Sequence, residues 1–234
     1  MSFLLLFITS TEMHTSCDNL DIVVNELDAA VNIDPDTRRV KDSLRKLTLV
    51  RLGTCGALQA DIEVDSTIVS AAAMGLDGVA HFYTQPHESS KDMASAFMQH
   101  VQWPDQWNRP YARRASTTLL QHFGDLGTHG ITITANGFFG PQGRFLRLPL
   151  VMPDMNERFR SFTHATETET LRVTNFEMEC SALYALGQAL GHDTLTMCVA
   201  IANRYAGKFS EDYHPAVDKL IVNTLEKLVT LPSK

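Results

Sequence analysis

The chain of 234 residues has little of what marks nucleic-acid-binding or membrane proteins. Lys and Arg total 20 against 27 Asp and Glu, which gives a formal net charge of -7, and the basic residues form no run. A nucleic-acid-binding surface needs a basic patch, so we expect no nucleic-acid partner. No apolar stretch is long enough to span a bilayer, so we expect no membrane partner. A small-molecule ligand fits this composition best.

Cysteine is also scarce, and its four positions form neither a Cys-x-x-Cys pair nor a cluster with histidine at metal-ligand spacing. We therefore expect no metal site and interpret the cysteines as reduced, mostly buried thiols of a cytoplasmic protein. The opening MSFLLLFITSTEM lacks the basic n-region and the cleavage site of a signal peptide, and it predicts a buried strand. No Gly-x-Gly-x-x-Gly motif follows a predicted strand, which disfavours a dehydrogenase.

Apolar strands and amphipathic helices alternate along the chain. This pattern predicts an α/β fold with a mainly parallel central sheet, in a single domain over residues 1–234. We expect Asp18 to be the N-cap of the first helix. We expect residues 75–110 to form loops with one short helix near 93–101. The predicted strands are LTLVRLG, STIVSAAAM, HGITITA and TLTMCVAIAN, and the predicted helices are DNLDIVVNELDAAVNI, PYARRASTTLLQHF, NFEMECSALYALGQALGH and HPAVDKLIVNTLEKLV.

The first candidate site segment is VRLGTCGALQ, which directly follows a predicted strand. Ligands of open α/β sheets bind at such strand ends. Arg51 lies among apolar neighbours, and we expect Gly53, Thr54 and Gly56 to form a turn whose backbone N–H groups hold an anion beside the guanidinium. The alternative is a tight glycine turn with a salt-bridged arginine.

The second candidate segment is ANGFFGPQGRFLR. If this segment is extended, Gln142 and Arg144 lie on one side, so that an amide and a guanidinium address the same planar polar group. Phe138 and Phe139 stand just upstream and offer a ring for stacking. A pyrimidine base needs this combination, although a loop with a solvent-facing glutamine and arginine fits the segment equally well.

The third candidate segment is TNFEMEC, where Glu177 and Glu179 flank Met178 at a predicted junction between a strand and a helix. Residues two apart on a helix point away from each other, but at a junction both acids can reach one crevice. A carboxylate that accepts from two neighbouring hydroxyls can fix a ribose, and Met178 offers an apolar wall. The alternative is that the acids serve the first turn of the helix.

RLGTCGALQADIEVDSTIVSAAAMGLDG, NGFFGPQGR, TNFEMECSALYALGQALGH and CVAIANR, in this order, resemble the nucleoside phosphorylase family and its uridine phosphorylase branch. The resemblance runs from about Asp18 to the C-terminus. It implies a three-layer α/β/α sandwich and a cytoplasmic pentosyltransferase. Such an enzyme reversibly cleaves the N-glycosidic bond of uridine with phosphate, giving uracil and ribose 1-phosphate. It uses no cofactor and forms a homo-oligomer built from dimers.

The resemblance also implies roles for individual residues. Arg51, Gln142, Arg144 and Glu179 match the catalytic positions, and Asn203 stands where purine-specific relatives place an aspartate, which favours a pyrimidine. Arg51, Gly53 and Thr54 match the phosphate-binding positions. The nucleoside-binding positions are matched by Thr54, Phe138, Gln142, Arg144, Glu177, Met178, Glu179, Ile201 and Ala202.

The sequence departs from this family before its first helix. The family's N-terminal strand and its Gly-Asp-x-x-Arg phosphate loop have no counterpart, so we expect an N-terminally truncated domain with an incomplete phosphate site. Two alternatives follow from this expectation. One is an impaired paralogue or fragment that binds nucleoside or partner subunits without turnover, and the other is a nucleosidase that needs no phosphate. The preference among uridine, deoxyuridine and thymidine stays open.

Overall fold

The computed structural model of the protein describes residues 3–8, 16–84 and 90–231. Within these ranges, the structure has nine strands and six α-helices. The strands are β1 (Phe3–Ile8), β2 (Leu47–Ala57), β3 (Thr67–Gly75), β4 (Tyr111–Arg114), β5 (Thr128–Thr134), β6 (Thr163–Ala165), β7 (Thr170–Glu177), β8 (Asp193–Asn203) and β9 (Lys208–Phe209). The helices are α1 (Cys17–Asn32), α2 (Lys91–Val101), α3 (Thr117–Phe123), α4 (Met155–Arg160), α5 (Cys180–Ala189) and α6 (His214–Leu228).

The strands form one mixed sheet in the order β1-β2-β7-β5-β3-β8-β9, with β4 added to β3 and β6 to β7. Its long pairings are parallel, namely β1 with β2, β2 with β8, and β3 with β5. Because β2 pairs with both β7 and β8, the central strands curve into a closed ring. The β2–β8 register shifts between Cys55 and Gly56, where a bulge bends the strand.

Helices cover the sheet on two sides, each side with its own hydrophobic core. One core packs α1, α5 and α6 against the sheet and includes Val24, Leu183 and Leu220. The other packs α2 and α4 and includes Phe97 and Phe159. Both the α/β class and the three-layer arrangement are confirmed. In the described ranges, no helix combines the length and apolar content that a membrane crossing needs.

Most predicted elements are confirmed, and two expectations are corrected. The stretch PYARRASTTLLQHF is not one helix, because Tyr111–Arg114 pairs with the edge of β3 as β4 before α3 begins. Helix α1 starts after Ser16, so that Asp18 lies in its first turn and is not its N-cap. The strand predicted ahead of α1 is confirmed, since all six residues of β1 pair in parallel with β2.

Candidate functional site

Arg51 is a buried cation on β2 that is held between two carboxylates. Its Nη1 lies 3.1 Å from Oε2 of Glu177, and its Nη2 donates to Oε2 of Glu179. The three side chains are all at most 6% exposed, and Nη1 also donates to Sγ of Cys198 at 3.5 Å. Burial opposes the charge on Arg51, but the neighbouring negative charges, Glu179 foremost, raise its pKa above the usual range. Arg51 is therefore a permanent cation inside the protein.

The glycine after Arg51 makes room for its guanidinium. Gly53 points to the same side of β2 as Arg51, and a Cβ there would come within 2.9 Å of Nη2 of Arg51. Gly53 and Thr54 pair with Cys198 and Val199 of β8, so they continue the strand and form no turn. The predicted turn is thus wrong, because this backbone belongs to the ladder. That Arg51, Gly53 and Thr54 bind phosphate stays a prediction.

The two glutamates meet at the junction between β7 and α5. Oε2 of Glu177 accepts the backbone N–H groups of Glu179 at 2.9 Å and Cys180 at 2.8 Å. The carbonyl of Met178, between the acids, accepts from the thiol of Cys17 at 3.1 Å. The two acids do converge, on the guanidinium of Arg51, while their reaching a ligand crevice stays a prediction. The alternative role holds too, because Glu177 also satisfies the first turn of α5.

Glu177 has an unusual proton affinity for a carboxyl group. Burial disfavours its charged form and outweighs the attraction of Arg51, so the pKa of Glu177 rises to about 7. The negative charge of Glu179 acts in the same direction, while a hydrogen bond from Thr134 opposes it. The charge of the acid cluster therefore changes near neutral pH.

A second polar cluster surrounds the buried side chain of Gln142. Its Oε1 accepts from Nη1 of Arg144 at 3.0 Å and from Nη2 of Arg204, while its backbone carbonyl accepts from Nη1 of Arg204 at 2.7 Å. Gln142 ends a short 3₁₀ turn, and Gly143 follows with φ of +68°. The extended segment expected here is thus wrong, but the side chains of Gln142 and Arg144 do meet at one point. The left-handed turn at Gly143 brings them together.

Aromatic rings support both guanidinium groups of this cluster. The guanidinium carbon of Arg144 lies 3.7 Å from the ring centroid of Phe138, and that of Arg204 lies 4.8 Å from the centroid of Phe176. Phe138 is 54% exposed, as a ring that receives a ligand must be. One of its faces is covered by Arg144 in this structure.

Arg204 is a site residue that the sequence analysis missed, although it ends the CVAIANR motif. The sequence feature that could have identified Arg204 is a basic residue directly after a buried strand, at the edge of the sheet where ligands bind. A Cβ at Gly56 would lie 2.8 Å from Nε of Arg204, so a larger residue at this position would displace the Arg204 side chain. Burial, aided by the charge of Arg144, lowers the pKa of Arg204 to about 9. Within residues 16–84 and 90–231, neither Arg144 nor Arg204 has a carboxylate partner.

The other predicted residues lie at the end of β8. Ile201 is half-buried and Ala202 is buried, as apolar wall positions should be. The amide of Asn203 donates to the carbonyls of Gln59 at 2.8 Å and Ile62 at 2.6 Å. Asn203 therefore holds the turn that follows β2.

Cys55 lies between the two clusters. Besides burial, the negative charge of Glu177 raises the pKa of its thiol, and the positive charge of Arg51 lowers it. All four cysteines are free and buried, and burial raises the pKa of Cys55 well above its usual value, so this thiol is unreactive. In the described part of the chain, no group of three or more His, Cys, Asp or Glu side chains could hold a metal ion.

An apolar cavity of about 930 Å³ adjoins the Gln142 cluster. Arg144 is the predicted site residue in its wall, beside Phe139 and Phe145. Trp103 and Trp107 also line the cavity, packed edge to face with centroids 5.1 Å apart. The irregular stretch before β4 thus contributes to a cavity, as excursions in α/β proteins often do.

A family model described as the phosphorylase superfamily matches residues 30–230. The chain belongs to the phosphorylase superfamily. The uridine phosphorylase of Thermococcus kodakarensis is 28% identical over 169 residues, which are 70% of this chain and 51% of that protein. The uridine phosphorylase of Haemophilus influenzae is 25% identical over 177 residues, 73% of this chain and 60% of the relative. The chain thus matches only about half of the length of these curated relatives.

Solved structures show the same fold. A Trypanosoma brucei nucleoside phosphorylase that shows uridine phosphorylase activity superposes with a TM-score of 0.79 at 24% identity, over 92% of this chain and 77% of the other. A uridine phosphorylase of Phytophthora capsici gives a TM-score of 0.57 at 19% identity, over 94% of this chain and 74% of the other. At these identities the likeness shows the phosphorylase fold.

Proposed function

We propose that this protein is a pentosyltransferase that cleaves the N-glycosidic bond of uridine with inorganic phosphate, giving uracil and ribose 1-phosphate. The observation that carries the proposal is the Gln142 cluster, in which two guanidinium groups without carboxylate partners in the described chain converge on one buried amide. The names of the relatives support the same reaction. Phosphate is the co-substrate, and no cofactor takes part.

The Gln142 cluster suits a departing pyrimidine. As the glycosidic bond lengthens, negative charge develops on the base and positive charge on the sugar. Arg144 and Arg204 supply fixed positive charge beside the amide of Gln142, which can both donate to and accept from the edge of uracil. Because both guanidinium groups are partly buried, these charges act at a lower effective dielectric than in water and stabilise the leaving group.

The Arg51 cluster suits the sugar and the anion. Carboxylate oxygens of Glu179 accept from ribose hydroxyls, and Met178 packs against the sugar. Arg51 and Thr54 attract phosphate to the face of the ribose opposite the base, which fixes the nucleophile for attack. We further propose that the protein works in the cytoplasm as a homo-oligomer built from dimers.

The test is uracil release from uridine by the purified protein, with and without phosphate. We expect release that depends on phosphate and that falls by about a hundredfold in Gln142→Ala, in line with the loss of one charge-stabilising contact. Gln121→Ala, at an exposed position of α3, serves as the matched control. Glu179→Gln should lose activity similarly, while Glu226→Gln, exposed on α6, should not.

Two outcomes would overturn the proposal. Uracil release that is equally fast without phosphate would identify a hydrolase. No release in either buffer, with uridine still raising the melting temperature, would identify a nucleoside-binding protein without turnover.

A further inference from the structure

Thr134, the last residue of β5, makes a buried hydrogen bond to Glu177. Its hydroxyl donates to Oε1 of Glu177 at 2.6 Å and accepts the backbone N–H of Ser181 at 2.9 Å. Thr134 and Ser181 are both fully buried. The hydroxyl oxygen of Thr134 accepts the N–H of Ser181, and the single hydroxyl hydrogen is therefore directed to Glu177. The first turn of α5 therefore sets the direction of this hydrogen bond.

Ser181 is itself held by a network that ends on β4. Its hydroxyl donates to Oδ2 of Asp77 at 2.6 Å, and the phenol of Tyr111 donates to Oδ1 of Asp77 at 2.8 Å. The backbone N–H of Val79 also donates to Oδ1 of Asp77 at 2.8 Å. Tyr111 is 5% exposed, so this end of the network is also shielded from water. A polar chain thus runs from Tyr111 through Asp77 and Ser181 to Thr134.

We propose that Thr134 is a positioning residue of the active site, whose hydroxyl, oriented by the Tyr111–Asp77–Ser181 network, keeps the Glu177 carboxylate ionised and turned toward Arg51. In the described ranges, Thr134 provides the one side-chain hydroxyl that is bonded to Glu177. A hydrogen bond to a carboxylate favours its charged form, whereas burial and Glu179 oppose that form. The kinetic part of this inference rests on the proposed function, and the electrostatic part does not.

Few groups near Glu177 can stabilise the ionised form of its carboxylate. Arg51 is the one cation that faces it from the described elements, and its other charged neighbour, Glu179, repels it. The thiols nearby have no charge to offer, since burial raises the pKa of each whose shift is resolved. The titratable groups that face this cluster are Arg51 and Cys55 on β2, Cys17 on α1, Glu179 and Cys180 at the start of α5, and Cys198 on β8, which contacts Arg51.

The test compares Thr134→Val with Thr134→Ser in protein carrying ¹³C-labelled glutamate carboxyls, with the Glu177 signal assigned through Glu177→Gln. We expect the titration midpoint of Glu177 to rise by about one pH unit in Thr134→Val, the size of a lost charge-assisted hydrogen bond. Thr134→Ser should keep the wild-type midpoint. Thr194→Val is the control, because Thr194 is equally buried but its hydroxyl has no hydrogen-bond partner within the described residues.

The acid limb of the pH profile for uracil release should move upward with the same midpoint. If wild-type protein releases no uracil, the proposed function fails, and the titration still tests the positioning role. An unchanged midpoint in folded Thr134→Val would overturn the inference. Should that variant not fold, Tyr111→Phe replaces it, since it loosens the network without touching Glu177, and we expect a smaller upward shift. No shift in Tyr111→Phe would then overturn the inference.

Discussion

The two clusters of the site handle charge in opposite ways. Around Arg51, one guanidinium is shared by two carboxylates, so the positive charge of Arg51 is compensated inside the protein. Around Gln142, two guanidinium groups share one neutral amide, and the pKa of Arg204 falls to about 9 because its charge is buried and uncompensated. A buried charge without a partner is costly, so the Gln142 cluster gains most when negative charge arrives.

This difference separates a structural task from a chemical one. The Arg51 cluster ties β2 to the junction between β7 and α5, and breaking it leaves buried carboxylates without a counter-charge. The Gln142 cluster leaves its guanidinium groups uncompensated, and under the proposed function this prepares it for a base that becomes negative in the transition state. Substitutions in the first cluster should therefore lower stability as well as activity, whereas those in the second should act mainly on rate.

The largest expected effect is that of Arg51→Met. Removing one partner of a buried ion pair leaves an uncompensated charge, and we expect the free energy of unfolding to fall by about 3 to 5 kcal/mol. Urea denaturation measures this, with Arg39→Met in the exposed turn after α1 as the control. A loss under about 1 kcal/mol would show that the Arg51 cluster is no more structural than a surface ion pair.

Arg204→Met should give the opposite result. We expect kcat for uracil release to fall by about a hundredfold to a thousandfold, as for other charge-stabilising contacts of an active site. The melting temperature should stay unchanged or rise, because an uncompensated buried charge is removed. Steady-state kinetics and thermal denaturation on the same sample check both halves. A large fall in stability would contradict the division between the clusters.

The contribution of Glu177 to stability should depend on pH. Its folded pKa of about 7 lies above the ordinary value of 4.5, so between these two pH values the folded state binds more protons than the unfolded state. The contribution of this group is therefore complete below pH 4.5 and is lost as the pH rises through 7. Relative to wild type, Glu177→Gln should gain up to about 3 kcal/mol in unfolding free energy between pH 5 and pH 8.

Urea denaturation across this pH range measures the gain, and Glu226→Gln on the exposed face of α6 provides the control. A difference between Glu177→Gln and wild type that does not depend on pH would mean that the folded-state pKa is ordinary.

The smallest expected effects come from the two glycines of β2. Gly53→Ala places a methyl group 2.9 Å from the guanidinium of Arg51, and we expect a stability loss of about 1 to 3 kcal/mol with little change in kcat for the surviving folded protein. Gly56→Ala places the methyl group 2.8 Å from Nε of Arg204, and we expect a fall in kcat on the order of tenfold. Urea denaturation and steady-state kinetics of both variants test these expectations. If the two substitutions had the same effect on unfolding free energy and the same effect on kcat, the distinction between the clusters would not hold.

Much of the fold was predictable because its elements have clear periodicity. The strands β2, β3, β5 and β8 and the helices α1 and α6 lie where the apolar patterns placed them. The strand β4 was not predictable, because Tyr111–Arg114 is too short to show alternation and runs on into a helical pattern. Its pairing with the edge of β3 is a tertiary contact that overrides local preference.

The candidate site was predictable where the chain itself places residues side by side. Glu177 and Glu179 converge because one ends a strand and the other begins a helix. The turn expected at Gly53 was wrong, since a glycine within a strand signals close approach by another group as well as a turn. Arg204 was missed because its role depends on contacts with Gln142 and Phe176, which are distant in sequence.

The sequence by itself determined the fold class, the family, and the chemical types of the site residues, because these follow from local periodicity and from short motifs. Only the tertiary structure decided which charges meet. Arg51 reaches two glutamates more than a hundred positions away because β2 pairs with both β7 and β8 in a closed ring. Such long-range contacts depend on the register of strands that are far apart in the chain, and this register is set by the packing of the whole core.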